Sequence, residues 1–358
     1  MQKTTCVSNY LTKKLKLIAL MVLAIGAVTM NTAQTQAQEM PNKRQGNYIF
    51  TLSEKVVRKP VTYKNRYGIT LAADLYMPKS FDSSRKYAAI IVGSPYGGVK
   101  EQGAGIYAQN MAERGFIALA FDPSNNGYSS GETRHISSPD LFVEDFSASV
   151  DYLGTRPFVN REQIGVIGMC GSGGFALSAA QVDRRIKAVA TISMYDISRA
   201  YRNGFKDAAT EEDRNKILDQ AAEQRYLEFE GHEPVLTPRG APIGFDENTD
   251  PISREFAEFY STPRGYHHNS LTQFTLTSVM PFMNFSLLTH LKSISPRPIL
   301  LVIGETAHSR YFSEDVYKEA AEPKELYVVP GAGHVDLYDK VNVIPWDKFV
   351  NFFTKALK

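Results

Sequence analysis

Residues 163–174 read Gln-Ile-Gly-Val-Ile-Gly-Met-Cys-Gly-Ser-Gly-Gly. The first part is a short apolar run without alternation, the pattern of a strand buried on both faces. The second part is small and glycine-rich, and it leads into a helical stretch over 173–181. A sharp strand-to-helix turn holds one side chain out at the sheet edge, and strand and helix can approach only if the residues two before and two after it are small. Two nucleophiles meet that condition. Cys170 has Gly168 and Ser172 around it, and Ser172 has Cys170 and Gly174. Strand phase separates them: with the strand ending at Gly168, Cys170 stands at the tip and Ser172 one step inside the helix, where its hydroxyl caps backbone. The helix N-terminus favours a thiolate at Cys170. Cys170 is the first choice and Ser172 the alternative.

Outward from this turn the same kind of strand recurs at Ala88–Val92, Phe116–Phe121, Ile186–Ile192, Pro298–Ile303 and Glu325–Val329. Helical stretches fall between them, at 104–114, from Asp140 to Gly154, and from Pro345 with Trp346, Phe349, Val350 and Phe353 on one stripe. Strand–helix alternation with continuously apolar strands predicts a mostly parallel sheet with helices on both faces. Residues 55–77 alternate instead and predict a leading hairpin around Asn65-Arg66-Tyr67-Gly68. Between the strand ending near Met194 and that starting at Pro298, about a hundred residues break the rhythm, too many for a structureless loop. They hold a charged helical stretch, Ala208–Glu230, and the aromatics Phe256, Phe259, Tyr260, Tyr266, Phe274, Phe282 and Phe285. The expected organisation is a leader over 1–37, a polar lead-in over 38–54, and one domain over 55–358 with a cap insertion at about 196–295.

In an open parallel sheet, ligands bind beyond the carboxyl ends of the strands. Those ends carry Gly-Ser-Pro-Tyr-Gly-Gly from 93, Asp-Pro-Ser-Asn-Asn-Gly from 122, the Cys170 turn, Gly-Glu-Thr-Ala-His-Ser from 304 and Pro-Gly-Ala-Gly-His from 330. In this order, over roughly 55–358, the set resembles the α/β-hydrolase fold. Within that fold the chain looks like the secreted, dienelactone-hydrolase-like group with Gly-x-Cys at the nucleophile elbow. Ser172 departs from that pattern, which usually has Gly there. The resemblance implies a base on the loop after the last strand, at His334, and an acid after the preceding strand. Ala307 fills the usual place of that acid. Glu305 is the nearest carboxylate and the first choice, Asp196 the second, and a Cys–His pair needing little from an acid is the third, since a thiol near pKa ~8.5, lowered by histidine and helix, is partly ionised at neutral pH. The oxyanion donors expected are the N–H of Gly171 and, because Pro95 has none, that of Tyr96. His308, Ser309 and Tyr260 are candidates for touching substrate. Asp315 and Asp336 read as helix-cap or surface residues.

The flanks bound the function further. Lys3, Lys13, Lys14 and Lys16 precede an apolar run from Leu17 to Met30 and a polar, small-residue stretch, the three-part pattern of a secretory signal cleaved after Ala37. The run is shorter than the ~20 residues that cross a bilayer comfortably, so no lasting membrane anchor is expected. Export by the Sec route to the periplasm or beyond follows. Of the 2 cysteines, Cys6 leaves with the leader, which makes Cys170 the only thiol of the mature chain. A net charge of +2 with no basic stripe excludes a polyanion partner such as nucleic acid. Adjacent His267 and His268 lack metal-ligand spacing, and neither metal nor organic cofactor is called for. The expectation is hydrolysis of a small carboxylic ester, thioester or lactone with an acyl or aryl group, through an acyl-enzyme on Cys170. A peptidase or acyltransferase using Ser172, and an inactive binding protein on the same fold, are the alternatives.

Overall fold

The computed structural model describes residues 47–358; the leader expected over 1–37 and the first part of the lead-in lie outside the described residues. Strands β1 (Val56–Lys64) and β2 (Thr70–Pro78) form the expected hairpin. The remaining strands are β3 (Tyr87–Gly93), β4 (Ile117–Phe121), β5 (Val159–Met169), β6 (Ala188–Ile192), β7 (Ile299–Gly304) and β8 (Lys324–Val329). They make one 8-stranded sheet in the order β1-β2-β4-β3-β5-β6-β7-β8. The hairpin and its junction with β4 are antiparallel, and every later pairing is parallel. The sheet is therefore the mostly parallel one that the apolar runs predicted, in agreement with the fold that the resemblance implied. The central strands β3, β4 and β6, and β5 from Ile164 on, are buried almost throughout, and each buried Ile, Val or Leu contributes ~1.5–3 kcal/mol.

Helices α1 (Gly103–Glu113), α2 (Pro139–Gly154) and α3 (Gly171–Val182) follow β3, β4 and β5 in turn. The cap region carries α4 (Ile197–Asn203), α5 (Glu211–Phe229), α6 (Pro251–Tyr260) and α7 (Val279–Asn284). The fold closes with α8 (Arg310–Glu319), the single turn α9 (Asp336–Asp339) and α10 (Trp346–Ala356). One sheet face is covered by α1 and α10, whose Tyr107 and Phe349 rings meet edge to face at 5.6 Å. The other face is covered by α2 and α3, where Phe142 and Phe175 meet at 5.3 Å. The charged stretch after Ala208 forms α5 because Thr210 and Asp213 close a capping box at its start.

Two glycines let backbones meet at the carboxyl edge. A Cβ on Gly168 would sit 2.2 Å from the Ser172 carbonyl oxygen, so β5 can turn into α3 only with glycine there. One on Gly304 would sit 2.3 Å from the Ala332 carbonyl oxygen, where the loop after β8 crosses the end of β7. Thr306 fastens that crossing, with its N–H and its hydroxyl both donating to the Ala332 carbonyl at 3.0 and 2.9 Å.

Candidate active site

Cys170 is the tip residue between β5 and α3, with φ 51° and ψ −122°. For a residue with a Cβ this left-handed conformation costs on the order of 1–3 kcal/mol and survives only where the surroundings impose it. They do: the Cys170 N–H donates to the Ile192 carbonyl at 2.9 Å, and its own carbonyl accepts from Gly173 and Tyr195 N–H, both at 2.9 Å. Ser172 lies in the first turn of α3, and its hydroxyl donates to the Ser94 carbonyl at 2.5 Å. That bond ties the helix to the loop after β3 and occupies the one proton Ser172 has to give.

The same loop brings Tyr96 to Cys170. The N–H groups of Gly171 and Tyr96, the two expected donors, face the sulfur and favour its ionised form, as does the Tyr338 hydroxyl. Burial opposes all three and outweighs them, so the thiol titrates above its ordinary range. This direction runs against the partly ionised thiol expected from the sequence: the buried sulfur loses more hydration than the three donors return.

His334 follows Gly333 on the loop after β8 and is fully buried. Its Nδ1 lies 2.7 Å from the Ser309 hydroxyl, and its Nε2 lies 2.8 Å from the Tyr338 hydroxyl. Tyr338 thereby stands between the imidazole and the sulfur. Burial and the neighbouring His308 hold the His334 imidazole well below its ordinary pKa, so it is neutral at neutral pH.

Among the described residues no carboxylate pairs with His334. Glu305, the first choice for the acid, turns away: its Oε2 accepts the Gly331 N–H at 2.8 Å and the side chain is exposed. The physical reason is the loop crossing itself, which places the hydroxyl of Ser309 at Nδ1. Asp196 caps α4 through a bond from the Arg199 N–H at 2.9 Å. Asp315 pairs with Arg199 on the protein surface, and Asp336 opens α9 while accepting the Gly333 N–H.

His308 lies against His334 with ring centroids 4.7 Å apart and planes tilted 33° to each other. Its Nε2 is 2.6 Å from the Tyr195 hydroxyl, and its Nδ1 is 3.5 Å from Glu255 Oε2. Glu255 belongs to cap helix α6 and also accepts the Val335 N–H at 2.7 Å. From the same helix, Phe256 meets the His334 ring at 5.3 Å. Tyr260 lies close to both Tyr338 and Cys170. Tyr96 stacks at 3.9 Å on Phe274 of the cap. Sequence reasoning missed Tyr338, Tyr195 and Glu255. Only Tyr338 carried a signal, being four residues after His334 and so on the same side of a helical turn. Among the described residues no group of three or more His, Cys, Asp and Glu side chains is placed to hold a metal ion.

Comparison with known proteins places this arrangement. Residues 67–226 match the family model for X-Pro dipeptidyl-peptidase of the S15 family. The uncharacterized protein PA2218 of Pseudomonas aeruginosa is 50% identical over 330 residues, which is 91% of this chain and 88% of that one. Its crystal structure superposes with a TM-score of 0.84 at 49% identity, covering 89% of this chain and 99% of that one. YcjY of Escherichia coli strain K12 is 35% identical over 279 residues, 78% of this chain and 91% of that one. The polyketide transferase grgF of a Penicillium species is 25% identical over 281 residues, covering 78% of this chain and 90% of its own. The crystal structure of GrgF, described as an α/β hydrolase, shares the fold at a TM-score of 0.70, with 23% identity and coverage of 84% and 99%. The extent of identity with PA2218 and YcjY makes this chain a member of the family that includes those two proteins, and its sheet order gives it the α/β-hydrolase fold.

Proposed function

We propose that the protein is an exported acyl-transferring hydrolase that takes the acyl group of a small carboxylic ester or thioester onto Cys170. The observation that carries this reading is the convergence of the Gly171 N–H, the Tyr96 N–H and the Tyr338 hydroxyl on one buried sulfur at the elbow. Because thiol and imidazole are both neutral at rest, attack and proton transfer go together. The sulfur adds to the carbonyl carbon while its proton passes to the Tyr338 oxygen and the Tyr338 proton to His334 Nε2. The imidazolium so formed donates from Nδ1 to the Ser309 hydroxyl. The developing oxyanion is taken by the N–H groups of Gly171 and Tyr96. His334 then returns its proton, through Tyr338, to the leaving group, and a thioester on Cys170 remains. The transferase named among the relatives supports acyl chemistry, and the Gly-x-Cys elbow supports the dienelactone-hydrolase-like subgroup. Export follows from the leader pattern and is tested by N-terminal sequencing of the protein recovered from a periplasmic fraction.

The S15 match raises a second substrate class, the peptide amide. A panel of nitrophenyl esters, aryl thioesters and X-Pro anilides separates the two. With the preferred substrate, mass spectrometry of the quenched enzyme should find the acyl group on Cys170. Cys170→Ala should lower turnover at least about a thousandfold, as loss of a nucleophile does. An adduct on Ser172, or full activity in Cys170→Ala, would overturn the assignment.

A further inference from the structure

The carboxylate that His334 lacks is found on the histidine beside it. His334 has a neutral hydroxyl on each nitrogen, from Ser309 and Tyr338. His308, its ring tilted 33° to that of His334 with centroids 4.7 Å apart, has the Glu255 carboxylate 3.5 Å from Nδ1, near but not hydrogen-bonded, and the Tyr195 phenol 2.6 Å from Nε2. Tyr195 is buried beside the elbow: its N–H donates to the Cys170 carbonyl at 2.9 Å and its ring lies 5.3 Å from that of His334. The site thus contains two imidazole–phenol pairs beside one elbow, and only one of them has a carboxylate close to its imidazole.

From this we infer that Glu255, His308 and Tyr195 form a second proton relay, which serves the hydroxyl acceptor, water or a small alcohol, in the second half of the reaction. The inference rests on the acyl-Cys170 reading above. The two relays suit two different acids. A thiol, even one raised by burial, is far more acidic than water and can give up its proton to an imidazole with only hydroxyls around it. Water, at pKa ~15.7, needs a base whose cation is stabilised, and a carboxylate on the far nitrogen supplies that. In the step itself the acceptor oxygen bonds to the thioester carbonyl carbon. Its proton moves to the Tyr195 oxygen as the Tyr195 proton moves to His308 Nε2, and Glu255 balances the imidazolium. Collapse then breaks the carbon–sulfur bond, and the departing sulfur recovers a proton from His308 through Tyr195. The products are acid or ester and the free thiol, and each relay is returned to its starting form. Tyr195 is the catalytic residue of this relay, and Glu255 is a positioning residue that acts through His308.

The test is Tyr195→Phe, which removes one oxygen and leaves His334, Tyr338 and Ser309 in place. With a nitrophenyl ester, the rapid burst of nitrophenol reads acylation and the steady rate reads release. The expected result is a burst within about twofold of the unaltered enzyme and a steady rate lower by about a hundredfold, the scale of general-base catalysis. Acylated Cys170 should accumulate. Hydroxylamine, which attacks thioesters without a base, should restore turnover in Tyr195→Phe and in His308→Gln but not in His334→Gln. Burst and steady rate falling together, an unchanged steady rate, or no rescue by hydroxylamine would each overturn the relay. If the unaltered enzyme itself shows no acyl group on Cys170, the reading of the nucleophile has failed instead, which the same mass measurement reveals.

Discussion

On one side of the Cys170 sulfur stand backbone groups; on the other stand phenols. The Gly171 and Tyr96 N–H groups are fixed by the elbow conformation and by the bond from Ser172 to the Ser94 carbonyl. The phenols of Tyr338, Tyr195 and Tyr260 come from three separate segments: the loop after β8, the end of β6 and the cap. Backbone donors cannot be deleted one at a time, and their positions are shared with the sheet. Each phenol can be removed singly, and its partner histidine identifies the proton it handles. The backbone side is where charge on the substrate oxygen is met, and the phenol side is where protons move. A division of this kind lets the elbow stay constant while the cap varies, since the cap reaches the chemistry only through side chains.

Tyr338→Phe breaks the comparison most directly. With the hydroxyl gone, His334 Nε2 loses its 2.8 Å partner and the sulfur loses one of its three facing donors. The burst with a nitrophenyl ester should slow by about a hundredfold while the fold holds, since no backbone group depends on that hydroxyl. An unaltered burst would mean that His334 reaches the thiol by itself and that the phenol only fills space.

The balance between the two sides also fixes a pH dependence. Burial raises the Cys170 thiol above its ordinary range despite the donors facing it. Alkylation follows the thiolate fraction, so the rate with iodoacetamide should rise about tenfold per pH unit and still be rising where an ordinary thiol, near pKa ~8.5, has levelled off. A plateau at or below neutral pH would show that the donors outweigh burial, and the concerted attack proposed above would give way to a preformed thiolate.

How far the sequence discloses this site follows the same division. The inner strands of the parallel sheet are legible because burial on both faces leaves an apolar run, and the Cys170 turn is legible because the close approach at Gly168 requires small residues. Both are backbone demands, and those leave marks at fixed spacing. The cap leaves no such mark. Glu255 lies in a helix whose polarity reads as surface, and nothing in the order of residues ties it to His308, 53 positions on. Glu305 misled for the complementary reason. It stands near the place where an acid is expected, but the crossing of Thr306 on the Ala332 carbonyl turns the chain so that Ser309, not residue 305, arrives at His334.

That last contrast gives the smallest effect and a direct check on the geometry. Glu305 Oε2 accepts one N–H on an exposed loop. Glu305→Gln keeps an acceptor there and should change kcat/KM by less than about twofold, in line with other exposed polar substitutions. Ser309 is fully buried against His334 Nδ1, and Ser309→Ala leaves that nitrogen without its partner. Its cost should be about tenfold in the burst rate, the loss of one buried hydrogen bond of ~1–1.5 kcal/mol. The order matters more than either value, because both residues follow the same strand and differ only in where the loop sends them. If Glu305→Gln proves the more damaging of the two, the carboxylate must reach His334 in the working enzyme, and the hydroxyl-backed imidazole would no longer distinguish His334 from His308.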